Sequence, residues 1–393
     1  PDAKFLLFTG DFVETGTEQN SEWEWEQWFE VSMKPLLSRM ALAPTDGNHD
    51  DTPNLNYTYH FNTDKAFNET ATVKPQFDGI TYSFVYGDAL FMVYSHQDFW
   101  RGSYSYANGT STYLSNDVAN WFRDQVEKYP DTKWRIAAVH KNLFTGSGHQ
   151  ADEDGALFRA TLLPVFQELN IDFVIQGHDH IYEVMGPINN TTKTIVPGSV
   201  TNVELVSPDS NKNPKGQQGG TFNVKEGTLY FVNGTCGRKR YYPYTQDEME
   251  AGFDKHKVEG YWDLFTGKYG QPGAPAFSEI SVSSSEIEVK TYTSDANAQA
   301  TLFDTFKIVK NGNTGIEENK QSAKLYPTYA KDKINTTESD IIRVNAIDLT
   351  GKIYPLPFDN QHIDVSNLTD GIYVVQIFTN EKTRSERIVK TSR

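Results

Sequence analysis

At 393 residues the chain is long enough for about two domains with sizeable hydrophobic cores. Its formal net charge of −16 argues against nucleic acid as the main partner, because an acidic surface repels a polyanion. No apolar run reaches the ~20 residues of a transmembrane segment, and the single cysteine, Cys236, excludes both an internal disulfide framework and a cysteine-rich zinc site.

Four apolar segments in the first half of the chain are predicted as strands, and each one ends in residues that can bind a metal ion. The four segments and the motifs that follow them are 5–9 with Gly10-Asp11, 40–45 with Asp46-Gly47-Asn48-His49-Asp50, 134–139 with His140, and 171–176 with Gly177-His178-Asp179-His180. Ligand groups in α/β proteins gather at the carboxyl ends of strands, so we expect these side chains to converge on one crevice. A His-x-His pair offers two neutral nitrogen ligands to a transition metal.

Each candidate ligand also has a simpler role when it is considered alone. Asp11 fits a turn or helix cap, Asn48 beside Gly47 fits a left-handed turn, and His140 fits the edge of a core. The recurrence of matching ligand chemistry at four strand ends favours a metal centre over these separate roles.

Amphipathic spacing predicts three helices, at residues 21–37, 115–126 and 157–169. Long polar inserts are expected to form loops at residues 51–80, 97–115 and 205–222. Further apolar runs predict a second sheet, with strands at residues 228–233, 278–282, 286–292 and 302–309.

The sequence changes character after residue 308. A polar, glycine-containing segment at 309–322 is typical of a linker between domains. Residues 323–393 then carry short alternating runs with turn residues about every ten positions, which predicts a small all-β, immunoglobulin-like sandwich. We therefore expect an α/β domain over 1–308 and a β-domain over 323–393.

The four motifs, in this order, resemble those of calcineurin-like metallophosphoesterases, and the segments between them resemble the purple acid phosphatase-like branch. The resemblance covers about residues 1–308 and implies a four-layer αββα sandwich with two metal ions. It implies that Asp11 bridges the metals, that the second metal is completed by three further residues and that His180 binds the first. The residues that would complete the second metal site are Asn48, His140 and His178.

The same resemblance implies that His49 and His149 are catalytic and face the substrate. Arg238, in the basic cluster Arg238-Lys239-Arg240, is a candidate for binding the phosphate group, although an exposed loop explains this cluster equally well. The metals that suit such Asp, Asn and His ligands are divalent or trivalent Fe, Zn or Mn.

The chain departs from the family pattern at two places. The family has an earlier strand that ends in a metal-binding Asp, whereas this sequence begins at Pro1 just before the second motif. We therefore expect either a longer precursor or an incomplete first metal site. Glu14 occupies the position of the tyrosine that colours purple acid phosphatases, so a purple ferric site is not expected.

The activity implied is hydrolysis of phosphate esters by a dinuclear metal centre with a bridging hydroxide nucleophile. A phosphomonoesterase acting on a small phosphorylated substrate is the leading hypothesis. A phosphodiesterase and a non-catalytic surface binding protein with the same fold are the alternatives.

The C-terminal region resembles a second family, the sorting domain of type IX secretion in Bacteroidetes. The resemblance rests on Lys324-Leu325-Tyr326-Pro327, Asp348-Leu349-Thr350-Gly351-Lys352, Asp364-Val365-Ser366-Asn367-Leu368 and Gly371-Ile372-Tyr373. It implies contact with the secretion machinery and an exported bacterial protein that is secreted or held at the cell surface. An ordinary accessory β-domain is the alternative.

Overall fold

A computed structural model describes most of the chain. The described residues are 3–16, 21–50, 56–61, 63, 80–95, 112–150, 152–196, 199–201, 204–205, 217–251, 261–265, 268–310, 329–336, 340–348, 350, 352–359, 361–379 and 383–392. The chain folds into two compact units, Pro1–Gly312 and Asn313–Arg393.

The first unit contains strands and helices in alternation. Its strands are β1 (Phe5–Phe8), β2 (Ala41–Pro44), β3 (Tyr82–Tyr86), β4 (Ala89–Val93), β5 (Trp134–Ala138), β6 (Phe173–Gln176), β7 (Tyr182–Asn189), β8 (Thr194–Ile195), β9 (Val200–Thr201), β10 (Glu204–Leu205), β11 (Gln217–Gln218), β12 (Thr221–Asn223), β13 (Thr228–Asn233), β14 (Lys268–Gly270), β15 (Ala276–Val282), β16 (Glu286–Ser294) and β17 (Ala300–Val309). Its helices are α1 (Glu22–Glu26), a π-helical segment (Gln27–Met33), α2 (Lys34–Leu37), α3 (Asn56–His60), α4 (Thr112–Lys128), α5 (Glu153–Glu168), α6 (Gln246–Ala251) and a 3₁₀ helix (Tyr261–Leu264).

An eight-stranded mixed sheet forms the centre of this unit, in the order β14-β7-β13-β6-β5-β4-β3 with β8 beside β7. Strands β4, β5, β6 and β13 are parallel to one another. Helix α4 connects β4 to β5, and helix α5 connects β5 to β6. Because both faces of β5 and β6 are covered, their sequences are almost continuously apolar rather than alternating.

A second sheet, in the order β15-β16-β17-β12-β9, packs face to face on the central one. The side chains of β16 alternate between half-buried and buried, as expected for a sheet with one face in the core. The rings of Phe231 and Phe306 meet across the two sheets with centroids 5.6 Å apart. The predicted α/β class with two packed sheets is therefore confirmed.

Strands β1 and β2 form a separate parallel pair that carries the first two motifs. An aromatic cluster around Phe12, Trp25 and Trp28 supports this pair, with ring centroids of Phe12 and Trp28 4.8 Å apart. The helix predicted at 21–37 is present, and its middle turn is π-helical.

The described residues of the second unit are all-β, as predicted. Its strands are β18 (Tyr329–Ala330), β19 (Lys333–Asn335), β20 (Ile341–Asp348), β21 (Ile353–Pro355), β22 (His362–Asp364), β23 (Gly371–Thr379) and β24 (Thr383–Lys390). They form a five-stranded sheet, β18-β24-β23-β20-β21, and a two-stranded one, β19-β22. Buried Ile334, Val344 and Val375 belong to a core of this unit's own.

The expected linker at 309–322 lies outside the described residues from residue 311 onward, and Val309 still belongs to β17. Most of the polar inserts at 51–80, 97–115 and 205–222 also lie outside them. No helix in the described part of the chain is long and apolar enough to cross a membrane.

The packing between the two sheets predicts which side chains contribute to the stability of the first unit. Phe306→Ala removes a ring that is 1% exposed and should lower the free energy of unfolding by about 3–5 kcal/mol. Leu302→Ala on the same strand is the control, because Leu302 is 51% exposed and its loss should cost less than about 0.5 kcal/mol. All seven tryptophans precede residue 313, so tryptophan fluorescence in urea reports on this unit alone. Equal losses in the two variants would contradict the packing described.

Candidate metal centre

Glycines allow three strand-end loops to approach one another closely. Gly10 has a φ of +93°, and a Cβ atom there would lie 2.5 Å from Nδ1 of His140. A Cβ atom on Gly47 would lie 2.1 Å from the backbone nitrogen of Asp11, and one on Gly177 would lie 2.6 Å from the carbonyl oxygen of Thr9. Any side chain at these positions would force the loops apart.

The buried carboxylate of Asp50 joins the loops that follow β1 and β2. Its Oδ2 accepts hydrogen bonds from the backbone N–H groups of Asp11 at 2.8 Å and Gly47 at 2.7 Å. Its Oδ1 accepts hydrogen bonds from those of Phe12 at 2.7 Å and Val13 at 3.3 Å. Burial and the neighbouring Asp11 raise the pKa of Asp50, whereas the hydrogen bond from Gly47 lowers it. Through its four hydrogen bonds, this one side chain fixes where Asp11 sits.

The predicted ligands of the second metal lie close together at the strand ends. Asp11, His140 and His178 each offer a ligand atom, and these atoms lie within 4.8 Å of one another. Nε2 of His140 lies 3.2 Å from Oδ2 of Asp11 and 3.1 Å from Oδ1 of Asn48. Nδ1 of His140 donates a hydrogen bond to the carbonyl oxygen of Thr9, 2.6 Å away, so Nε2 is the nitrogen that faces the ligand cluster.

Opposite charges stabilise each other in this cluster. Burial raises the pKa of Asp11, but His140 and His49 outweigh burial and hold that pKa well below its usual range. Burial lowers the pKa of His140, but Asp11 outweighs burial and raises it. A half-buried carboxylate surrounded by an amide oxygen and imidazole nitrogens is a donor set that fits Fe, Zn or Mn.

Two of the clustered residues have a backbone conformation that side chains other than glycine seldom adopt. The φ angle is +54° at Asp11 and +63° at His178. Such left-handed residues cost about 1–3 kcal/mol each and concentrate at functional sites. Here the conformation turns both side chains into the crevice at the strand ends.

His180, the predicted ligand of the first metal, lies next to this cluster and is not one of its three members. Its Nδ1 donates a hydrogen bond to the carbonyl oxygen of Lys239, 2.9 Å away. Its ring stacks on Tyr241, with centroids 4.6 Å apart. Burial lowers the pKa of His180, which favours the neutral form that can bind a metal.

The remaining predicted residues lie around the cluster. The backbone N–H of His49 donates to Oδ1 of Asp11 at 3.1 Å, and its ring Nδ1 donates to the carbonyl oxygen of Glu14 at 2.7 Å. Glu14 itself is exposed and takes part through its backbone. Arg238 is also exposed, and its described contact is a backbone one, with its carbonyl accepting a hydrogen bond from Arg240.

His149 lies on the loop between β5 and α5. Its ring centroid is 3.8 Å from that of His178, and its Nδ1 donates a hydrogen bond to Oδ2 of Asp152 at 2.8 Å. The start of this loop is held by Asp179, which accepts a hydrogen bond from Thr145 Oγ1. Burial raises the pKa of Asp179 to about 6.

Sequence reasoning missed several residues that shape the site. Oε2 of buried Glu183 accepts a hydrogen bond from the backbone N–H of Gly146, 2.9 Å away. The hydroxyl of Tyr261 accepts one from the N–H of Thr145 at 2.7 Å. Tyr241 contacts both His180 and His149, the latter with centroids 5.7 Å apart. These contacts join residues far apart in sequence, so no local pattern indicates them.

Comparisons with known proteins agree with both resemblances. The family described as calcineurin-like phosphoesterase matches residues 1–182, and the secretion system C-terminal sorting domain matches residues 324–391. Both predicted resemblances are therefore confirmed. The sorting domain marks the protein as one that is secreted or held at the cell surface.

Two curated proteins illustrate the similarity. An uncharacterized protein of Mycobacterium tuberculosis is 26% identical over 206 residues, which are 49% of this chain and 37% of that protein. Purple acid phosphatase 5 of Arabidopsis thaliana is 26% identical over 176 residues, which are 44% of this chain and 34% of that protein. The chain thus spans little more than a third of the length of these relatives.

Among solved structures, the chain is similar to purple acid phosphatase PPD1 from yellow lupin seeds. The two are 16% identical, with a TM-score of 0.48, and the match covers 79% of this chain and 47% of that one.

The hydrogen bonds of the Asp50 carboxylate predict that this side chain contributes to the free energy of unfolding. Asp50→Asn places an amide group among four backbone N–H donors, so it should lower the free energy of unfolding by about 3 kcal/mol. Asp131→Asn, on an exposed turn, is the control and should cost less than about 0.5 kcal/mol. Urea unfolding followed by tryptophan fluorescence measures both variants. A stable Asp50→Asn variant would show that the loops are held by other contacts.

Proposed function

We propose that this chain, which carries a calcineurin-like phosphoesterase domain and a secretion sorting domain, hydrolyses phosphate monoesters outside the cytoplasm at a two-metal centre. The observation that carries the proposal is the convergence of half-buried Asp11 and Asn48 with buried His140 and His178 at the strand ends. The fold already has large apolar cores on both sides of its central sheet, so it does not need these polar side chains for its stability.

The residues present fit metal ions of the family. Asp11, Asn48, His140 and His178 would hold one ion, and Asp11 together with His180 would contribute to a second. Two such ions, when bound, lower the pKa of a water molecule and neutralise phosphate oxygens. Because Asn48 and the imidazoles add no negative charge, the site would remain attractive to an anionic ester.

The side chains of His49 and His149 would act on the substrate directly. Nδ1 of His49 is engaged with the carbonyl oxygen of Glu14, so Nε2 is the nitrogen left to donate a hydrogen bond to a phosphate oxygen. Nδ1 of His149 is engaged with Asp152 in the same manner. A histidine beside the leaving oxygen supplies the proton that an alcohol product needs. This supports a monoesterase with a proton-donating group.

The C-terminal domain supports an extracellular place of action. A sorting domain implies contact with secretion machinery, and we propose the type IX system as that partner. Whether the mature enzyme is released or stays attached follows from fractionation of the culture into medium, membrane and cell extract.

The test of this function measures metal content and turnover on the same preparations. The chain should contain tightly bound Fe, Zn or Mn and should hydrolyse p-nitrophenyl phosphate faster than bis-p-nitrophenyl phosphate. His140→Ala should lose metal and activity together. His49→Ala should keep its metal and lose about 10²–10³-fold in kcat, because the transition state loses a hydrogen bond to a phosphate oxygen.

His362→Ala is the matched control, because His362 belongs to the C-terminal unit and should leave both metal content and turnover unchanged. Faster cleavage of the diester would instead establish a phosphodiesterase. A metal-free chain that cleaves neither ester after incubation with Fe, Zn and Mn would contradict an enzymatic function.

A further inference from the structure

Asp152 occupies the residue before helix α5, where an aspartate usually accepts a hydrogen bond from a backbone N–H of the first helical turn. Its side chain makes no such capping hydrogen bond. The carboxylate instead accepts the 2.8 Å hydrogen bond from Nδ1 of His149. A capping bond contributes about 1 kcal/mol to helix stability. The carboxylate of Asp152 therefore binds His149 instead of stabilising the helix.

The loop that carries His149 is itself rigidly anchored. Thr145 is bound through its hydroxyl to Asp179 and through its backbone to Tyr261, and the N–H of Gly146 is bound to Glu183. These partners are buried, so they anchor the loop backbone without help from the side chain of Asp152. A fixed backbone does not determine the direction of the imidazole ring of His149. The hydrogen bond to Asp152 sets that direction.

The hydrogen bond to Asp152 decides which ring nitrogen faces the metal centre. With Nδ1 donating to Asp152, Nε2 is the other available nitrogen. Oδ1 of Asp179 lies 3.9 Å from Nε2, which is too far for a hydrogen bond. The ring lies 3.8 Å from the ring of His178, a member of the ligand cluster. A substrate bound there would therefore meet Nε2 of His149.

We infer that Asp152 is a positioning residue, which holds Nε2 of His149 toward the leaving oxygen of the phosphate ester; the inference rests on the proposed function. In the reaction, a P–O bond forms to the oxygen of water while the P–O bond to the leaving group breaks. The leaving oxygen keeps the electron pair of that bond and takes a proton from Nε2. A proton from the attacking water restores the histidine. A base or acid oriented by a third group is a recurrent arrangement in hydrolases.

A comparison of two substrates with different leaving groups tests the positioning role of Asp152. The anion of p-nitrophenol is stable without a proton, whereas the alkoxide from glycerol 2-phosphate is not. Asp152→Asn should therefore lower kcat for glycerol 2-phosphate on the order of 10–100-fold and for p-nitrophenyl phosphate by less than about threefold. KM for both esters should stay near the wild-type value, because Asp152 does not touch the substrate. Asp152→Ser, which keeps a good helix-capping residue, should behave like Asp152→Asn.

A double-mutant cycle isolates the pair. His149→Gln should show the same selective loss on glycerol 2-phosphate, and adding Asp152→Asn to it should cost nothing further. Asp131→Asn, on an exposed turn, is the control for the substitution itself and should leave both rates unchanged.

Three results would overturn the inference while the proposed function stands: equal losses on both esters, a loss that persists in the His149→Gln background, or unchanged rates. A fall in metal content in Asp152→Asn would also overturn it, since Asp152 would then be a ligand together with His149 and His178, whose ligand atoms lie within 4.8 Å of its own. A metal-loaded wild-type chain that cleaves neither ester would overturn the proposed function and this inference with it.

Discussion

The hydrogen bonds that the Asp50 carboxylate accepts hold together the part of the molecule where chemistry is expected. Both of its oxygens are used, and the donors come from two different loops. Burying a carboxyl group is costly unless hydrogen-bond partners surround it. The carboxylate and the loops therefore depend on each other: without the loops its oxygens lose their hydrogen-bond donors, and without the carboxylate the close approach of Gly47 to Asp11 loses four supporting hydrogen bonds.

The strained backbone of the site follows from the same constraint. Asp11 has a left-handed conformation, and its own N–H is one of the groups that Asp50 binds. The strain at Asp11 is thus balanced locally by the hydrogen bond that its N–H donates to Asp50. His140 adds a second tie, because its hydrogen bond to the carbonyl oxygen of Thr9 connects the end of β5 to the loop after β1. These hydrogen bonds connect the loops that carry Asp11 and His140.

The sequence predicts the strands, the α/β class and the convergence of ligands because each of these depends on local pattern: an apolar run followed by a polar residue marks a strand end. Contacts that depend on tertiary packing leave no such pattern. Asp152 has the sequence context of an ordinary helix cap, and only the structure shows that it binds His149 instead. Tyr241 reaches His180 from a loop about sixty residues later. Asp50 belongs to a sequence motif, but its structural role is apparent only from the four backbone N–H groups that it binds in the structure.

The two histidines that would face the substrate are held by partners of different charge. His49 is bound to a neutral backbone carbonyl, that of Glu14, on a loop that Asp50 already fixes. His149 is bound to a carboxylate on a loop anchored through Asp179. An anionic partner stabilises an imidazolium far better than a carbonyl does. Under the proposed function, this difference favours His149 as the proton donor and leaves His49 to hold the phosphate group.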